Sequence, residues 1–147
     1  MLNTGLGYND WELEKVYETS SRTVTEADIA IFAGLSGDYN QLHTDAVFAA
    51  STPYGERIAH GALVFSMSTG LVDHSGLISG TVVGFLGASM KWLAPVKAGD
   101  TITVHMIPIS KRLTKNPDRG IVNLKVNVIN QNGAVCCEQV WDVMVRA

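Results

Sequence analysis

Asp38 and His43 are two side chains whose types can do acid–base work together. They stand five residues apart, about 140° around a regular helix, so one continuous helix would aim them in different directions. Convergence requires the chain between them to leave the helix. Gly37 before, and the stretch Asp38-Tyr39-Asn40, favour such an excursion. A carboxylate and an imidazole brought together can hold one water molecule and move protons in both directions. Taken singly, each has a plainer reading, Asp38 as a turn residue and His43 as a solvated or hydrogen-bonded histidine. The signal lies in the pair.

A second element is Ile58-Ala59-His60-Gly61-Ala62. Gly61 opens an apolar helix, where the first N–H groups lack intrahelical partners and the dipole end is positive. A glycine there lets a ligand approach the backbone closely. A carbonyl placed against that N–H gains stabilisation as it becomes enolate-like. His60 is read as capping this helix or lining a pocket, with packing support as its plainer role. Asn40 is read mainly as a former of the turn around Asp38. His74 follows Asp73 near a helix end and reads as surface. His105, in a strand patterned by Ile102, Val104 and Met106, reads as solvent-facing.

The elements that must position these groups follow from periodicity. Val16 to Val24 alternate as a first strand. Thr25 reads as an N-cap, with Glu26 and Asp28 in the first turn where the dipole favours negative charge. Ile29, Phe32 and Ala33 fall at helical spacing until Ser36-Gly37-Asp38 breaks the pattern. Asp45 reads as the cap of a short helix through Val47, Phe48 and Ala50. A further helix from His60 or Gly61 to about Leu71 is apolar nearly all round, which requires burial by a sheet or by a partner. Val82–Leu93, Thr101–Ile109, Ile121–Ile129 and Val135–Val145 then read as a meander of four long strands. Asn132-Gly133 marks the last hairpin. The expected architecture is α+β, one domain over residues 1–147, with an antiparallel sheet wrapped around a central buried helix: a hot-dog fold. Its exposed sheet edge and apolar helix predict a homodimer.

With 46% apolar and 17% charged residues, the composition is that of a globular core rather than a disordered chain. A net charge of −3 argues against nucleic acid or an anionic membrane as partner. No basic segment followed by an apolar run opens the chain, and Cys136-Cys137 form neither a disulfide framework nor a metal spacing, so a reducing, cytoplasmic setting is expected. The two thiols are expected on opposite faces of their strand.

The run Phe32-Ala33-Gly34-Leu35-Ser36-Gly37-Asp38-Tyr39-Asn40-Gln41-Leu42-His43, followed by Phe48-Ala49-Ala50-Ser51 and then Ile58-Ala59-His60-Gly61, resembles the MaoC-like, (R)-specific enoyl-CoA hydratase family. The likeness extends from about Val24 through the meander. Its first segment is specific; the turn Val96-Lys97-Ala98-Gly99-Asp100 is shared more widely. The resemblance implies a homodimer of hot-dog subunits and reversible syn hydration of a trans-2-enoyl thioester to an (R)-3-hydroxyacyl thioester. It makes Asp38 and His43 the catalytic pair, sets the Gly61 N–H on the thioester carbonyl, puts Asn40 near the pair, and places Thr69 where the family often has a pocket serine. Gln41 stands where the motif usually has proline, which is expected to loosen the loop.

Two other enzyme readings share the fold. A hot-dog acyl-CoA thioesterase generally carries an acidic residue on or near the central helix, and Gly61–Val72 has none. A dehydratase of carrier-protein-bound, branched or dicarboxylic acyl thioesters would use the same groups. The non-enzymatic alternative is an acyl-thioester binding subunit. No metal site or Gly-rich phosphate loop is read, so no cofactor is expected beyond the coenzyme A of the substrate. Lys91, Lys97, Lys111, Arg112 and Lys115 are candidates for its phosphates, and Phe65, Met67 and Leu71 for the pocket floor.

Overall fold

Residues 5–147 are described by the computed structural model. The first four residues, part of the terminal stretch read for a leader, lie outside it. Two short strands, β1 (Tyr17–Glu18) and β2 (Arg22–Thr23), replace the single strand expected over Val16–Val24. The break falls where Thr19 turns inward. Its hydroxyl accepts from the Val104 N–H at 3.0 Å, taking the place of a backbone acceptor on the ladder.

Helix α1 (Glu26–Ser36) begins at a capping box in which Thr25 and Asp28 satisfy each other's backbone N–H groups. It ends at Gly37, whose φ of 76° is the left-handed conformation that terminates a helix with no Cβ penalty. A one-turn helix α2 (Gln41–Thr44) follows, which no periodicity announces, and then α3 (Ala46–Ala50), capped by Asp45 as expected. The long helix α4 spans Gly61–His74.

Four long strands, β3 (Val82–Trp92), β4 (Thr101–Leu113), β5 (Arg119–Ile129) and β6 (Val135–Arg146), join β1 in a wholly antiparallel sheet of order β1-β4-β5-β6-β3, with β2 pairing β4. The expected four-strand meander is therefore corrected. Only β4, β5 and β6 follow one another; β3 pairs β6 at the far edge. The chain leaving β3 is held against the start of α4, where the Ala59 N–H donates to the Val96 carbonyl at 2.7 Å. It then enters β4 on the other side of the sheet.

The core lies between α4 and one sheet face. Leu63, Val64, Met67, Leu71 and Val72 pack on Ile102, Val104 and Met106 of β4, on Val122, Leu124, Val126 and Val128 of β5, and on β6. Each such side chain contributes roughly 1.5–3 kcal/mol on burial. Ser68 and Gln139, both fully buried, fasten α4 to β6: Gln139 Nε2 donates to the Ser68 hydroxyl at 3.2 Å, and Gln139 Oε1 accepts from the Trp141 indole at 2.7 Å. In this chain α4 is covered on one side only, for Ala62, Ser66 and Gly70 face outward. Cys136 and Cys137 are both buried free thiols, beside a register shift between Val128 and Ile129, and burial pushes both thiols up. His105 faces outward near Glu18, as its strand pattern implied. The architecture is α+β, a sheet curled round a helix: the hot-dog fold.

Candidate active site

The left-handed Gly37 turns the chain out of α1 and releases Asp38 from the helix. Asp38 Oδ1 accepts from the Asn40 N–H at 3.2 Å, and Asn40 Oδ1 accepts from the Leu42 N–H at 3.0 Å. Two successive side-chain turns thus restart the chain as α2. Asn40 is the N-cap of α2, the structural role read for it. Gln41 is the first residue of α2, a position where proline loses nothing by lacking an N–H. Glutamine therefore keeps the same turn.

α2 carries His43 back toward the segment before α4. His43 Nδ1 lies 2.8 Å from the Ile58 carbonyl. A carbonyl only accepts, so Nδ1 carries a proton, and in the neutral ring Nε2 carries the lone pair. His60 Nε2 donates to the Asp38 carbonyl at 2.9 Å, and the two imidazoles stack with centroids 3.8 Å apart. The side-chain donor atoms of Asp38, His43 and His60 all lie within 4.8 Å of one another. These are metal-binding residue types, and each ring already spends one nitrogen on a carbonyl, which leaves one nitrogen of each uncommitted. Asp38 itself is exposed in this chain.

Gly61 opens α4 immediately after His60. Among the described residues no side chain caps this helix, so the capping offered as one role for His60 is not seen, and the first N–H groups remain unspent by any cap. The Trp92 indole lies against the Gly61 α-carbon: a Cβ there would sit 2.6 Å from Trp92 Cε2. Glycine is required by close approach, and the neighbour is a side chain of β3. That contact joins positions 31 residues apart and left no local signal in the sequence.

Two cavities flank the bond between His43 and Ile58. One, of about 390 Å³, is lined by His43, Tyr39, Ala33 and Ile29, with Glu26 and Arg57 also lining it, paired at 2.7 Å. The other, of about 460 Å³, is lined by Gly61, Ala62, Ile58, Trp92, Leu93 and Pro95. The expected pocket floor needs correction. Met67 and Leu71 are buried between α4 and the sheet, while Phe65 packs edge-on against Phe85 and Trp141. Thr69 lies eight residues beyond Gly61, about 12 Å along the axis. Its hydroxyl donates to the Ser66 carbonyl, and it is not among the groups gathered at Asp38 and His43.

Among the cations named for the substrate's phosphates, Lys111 is withdrawn. Its Nζ donates to the Tyr8 and Trp11 carbonyls at 2.9 Å, over the Tyr8 ring, and ties the N-terminal segment to β4. Lys97 is held by the Tyr54 carbonyl at 2.7 Å. Lys91, Arg112 and Lys115 are exposed.

Residues 10–130 match the MaoC like domain family. The (R)-specific enoyl-CoA hydratase of Aeromonas caviae is 34% identical over 115 residues, 78% of this chain and 81% of that protein. Protein MaoC of Klebsiella aerogenes is 40% identical over 88 residues, 60% of this chain; the match spans only 26% of that protein's length. The solved structure of the MaoC-like dehydratase from Rhodospirillum rubrum aligns with a TM-score of 0.86 at 27% identity, over 97% of each chain. With the family matching most of its length, this chain belongs to the MaoC-like domain family.

Proposed function

We propose that this chain catalyses the reversible hydration of a trans-2-enoyl-CoA to an (R)-3-hydroxyacyl-CoA, with Asp38 and His43 as the catalytic pair. The observation that carries the reading is the convergence of those two side chains beside the start of α4. The relative from A. caviae, matched over most of both chains, is named for this activity. A water held between Asp38 and the free Nε2 of His43 is the nucleophile. As its oxygen adds to C3, Nε2 takes a proton, and the thioester carbonyl gains enolate character against the Gly61 N–H. The imidazolium then returns a proton to C2 on the same face, so one base serves both steps and addition is syn. Asp38 orients the water and balances the transient positive charge. Asn40 shapes the loop. The reading includes a homodimer in a cytoplasmic setting; no described helix is long and apolar enough to cross a membrane.

The thioesterase alternative is less well supported. The one acid on α4, Asp73, is exposed and twelve residues past Gly61, about 18 Å along the axis from a carbonyl held there. A carrier-protein thioester, or a branched or dicarboxylic acyl group, would be handled by the same machinery.

The test is loss of the conjugated enoyl-thioester absorbance with crotonyl-CoA and a longer enoyl-CoA, with Asp38→Asn beside the wild type. Turnover by wild type alone is expected. Wild-type silence on both substrates, with thiol released from a saturated acyl-CoA, would replace the hydratase by the thioesterase. Full activity in Asp38→Asn would remove Asp38 from the pair.

A further inference from the structure

His60 stands where the three parts of the site meet. Its side chain is 2% exposed, and its Nε2–H holds the Asp38 carbonyl at 2.9 Å. One ring contact is the stack on His43, at 3.8 Å and 28°; another is the edge of Phe32, at 5.0 Å. By backbone it is the residue that starts α4, directly before Gly61.

Neither plain role accounts for this side chain. A residue kept for capping would be Ser, Thr, Asp or Asn, and the imidazole makes no cap bond. A residue kept for filling space would be apolar, whereas His60 leaves Nδ1 buried without a hydrogen-bond partner among the described residues. An orphaned buried acceptor is a cost that Leu or Phe would not carry. What histidine supplies here, and a capping or apolar residue does not, is a donor in the ring plane together with a flat ring face. The donor fixes the backbone of Asp38, and the face fixes the plane of His43.

We propose that His60 is a positioning residue that sets the separation and orientation of Asp38 and His43 and locks both to the N-terminus of α4. The two imidazoles carry their protons on opposite nitrogens, His43 on Nδ1 toward Ile58 and His60 on Nε2 toward Asp38. His43 Nε2 is thereby left free, on a ring whose ligand atom lies within 4.8 Å of the Asp38 carboxylate. His60 touches no reacting atom in this scheme. The kinetic consequence rests on the hydration reading; the tautomer pattern does not.

Two variants separate its two functions. His60→Phe keeps a flat ring and loses the donor, while His60→Gln keeps an N–H of similar reach and loses the ring. Steady-state kinetics on crotonyl-CoA, thermal midpoints and imidazole ¹⁵N–¹H spectra of the ligand-free protein are measured for wild type and both. Expected in the wild-type spectrum, recorded at alkaline pH where imidazoles are neutral, are His43 protonated on Nδ1 and His60 on Nε2, and in His60→Gln a displaced His43 signal. In His60→Phe, kcat is expected to fall about 10²-fold, the loss that follows an ångström of misplacement, with KM little changed. His60→Gln is expected to recover most of that loss. Wild-type kcat in His60→Phe, or losses in both variants that merely track the thermal midpoint with no rescue by Gln, would overturn the proposal. So would a wild-type spectrum with His60 protonated on Nδ1. If wild type fails to hydrate any enoyl-CoA, the hydration reading falls, and the spectra decide on His60 alone.

Discussion

At the scale of the residue, the site depends on where a proton sits. His43 spends Nδ1–H on the Ile58 carbonyl, so its only free basic atom is Nε2. On the proposed mechanism, His43→Gln removes the base while leaving a polar side chain at the same place. A kcat loss on the order of 10²–10⁴-fold is expected from removing a general base, with the thermal midpoint nearly unchanged. A His43→Gln enzyme with wild-type kcat would show that the proton is taken elsewhere. Gly61 makes a different claim. Its N–H would survive substitution by alanine, but the new Cβ would meet the Trp92 indole at 2.6 Å. Either Trp92 or the first turn of α4 must move. Gly61→Ala is expected to lower kcat/KM by about 10²-fold through misplacement of the N–H. Combining it with Trp92→Leu, which clears the space, should restore part of the loss. Strictly additive losses in the double variant would mean that the clash is not the cause.

At the scale of the element, α1 aims the loop that carries Asp38, and its far end is fixed by the capping box. Burial pushes the Asp28 carboxyl up, but hydrogen bonds from Thr25 and the Arg22 guanidinium outweigh it and hold the group below the usual carboxylate range. A carboxyl depressed in the folded state stabilises above its unfolded value, about 3.9, and that stability is lost as pH falls through the lower folded value. Asp28→Asn is expected to cost about 0.3–1 kcal/mol at neutral pH, and the gap to wild type should close as pH drops below about 4. Equilibrium unfolding at both pH values checks this; a gap that persists in acid would assign the effect to shape rather than charge. Elements such as α1 and β4 to β6 were legible from periodicity because each buries one face, and Gly37 marked the exit from α1 that lets Asp38 and His43 meet. The one-turn α2 was not legible, since a single helical turn has no period to detect. The pairing of β3 with β6 was also hidden. It is a contact between distant segments, and β3 is exposed on both faces, so its pattern carries no inside and outside. The place of His60 between Asp38 and His43 was hidden for the same reason, because the ring meets partners 17 and 22 positions earlier in the sequence.

At the scale of the whole molecule, two features of the isolated chain are unfinished, and one partner would complete both. The strand β3 ends the sheet with its outer backbone edge unpaired among the described residues, and it exposes apolar side chains, Val82, Val83, Phe85, Leu86 and Trp92, with Leu93 just past its end; Leu86 is 52% exposed. An edge that long and apolar is an invitation to pair, and natural chains blunt such edges with charge when they stay alone. Here the only charge on β3 is Lys91. The site itself is open as well, with Asp38 exposed, whereas stabilisation of a developing enolate is far stronger where water is excluded. A second copy pairing along β3 would bury the apolar row and stand close to Trp92, which lies on Gly61. Light scattering of the wild type at micromolar concentration should give twice the chain mass, and Leu86→Arg should shift the protein toward monomer. If the partner closes the site, turnover per chain in Leu86→Arg should rise again with protein concentration, in step with the recovered dimer. A monomeric wild type would dismiss the homodimer outright. A dimer whose loss leaves turnover per chain untouched would keep the interface and deny it any part in closing the site.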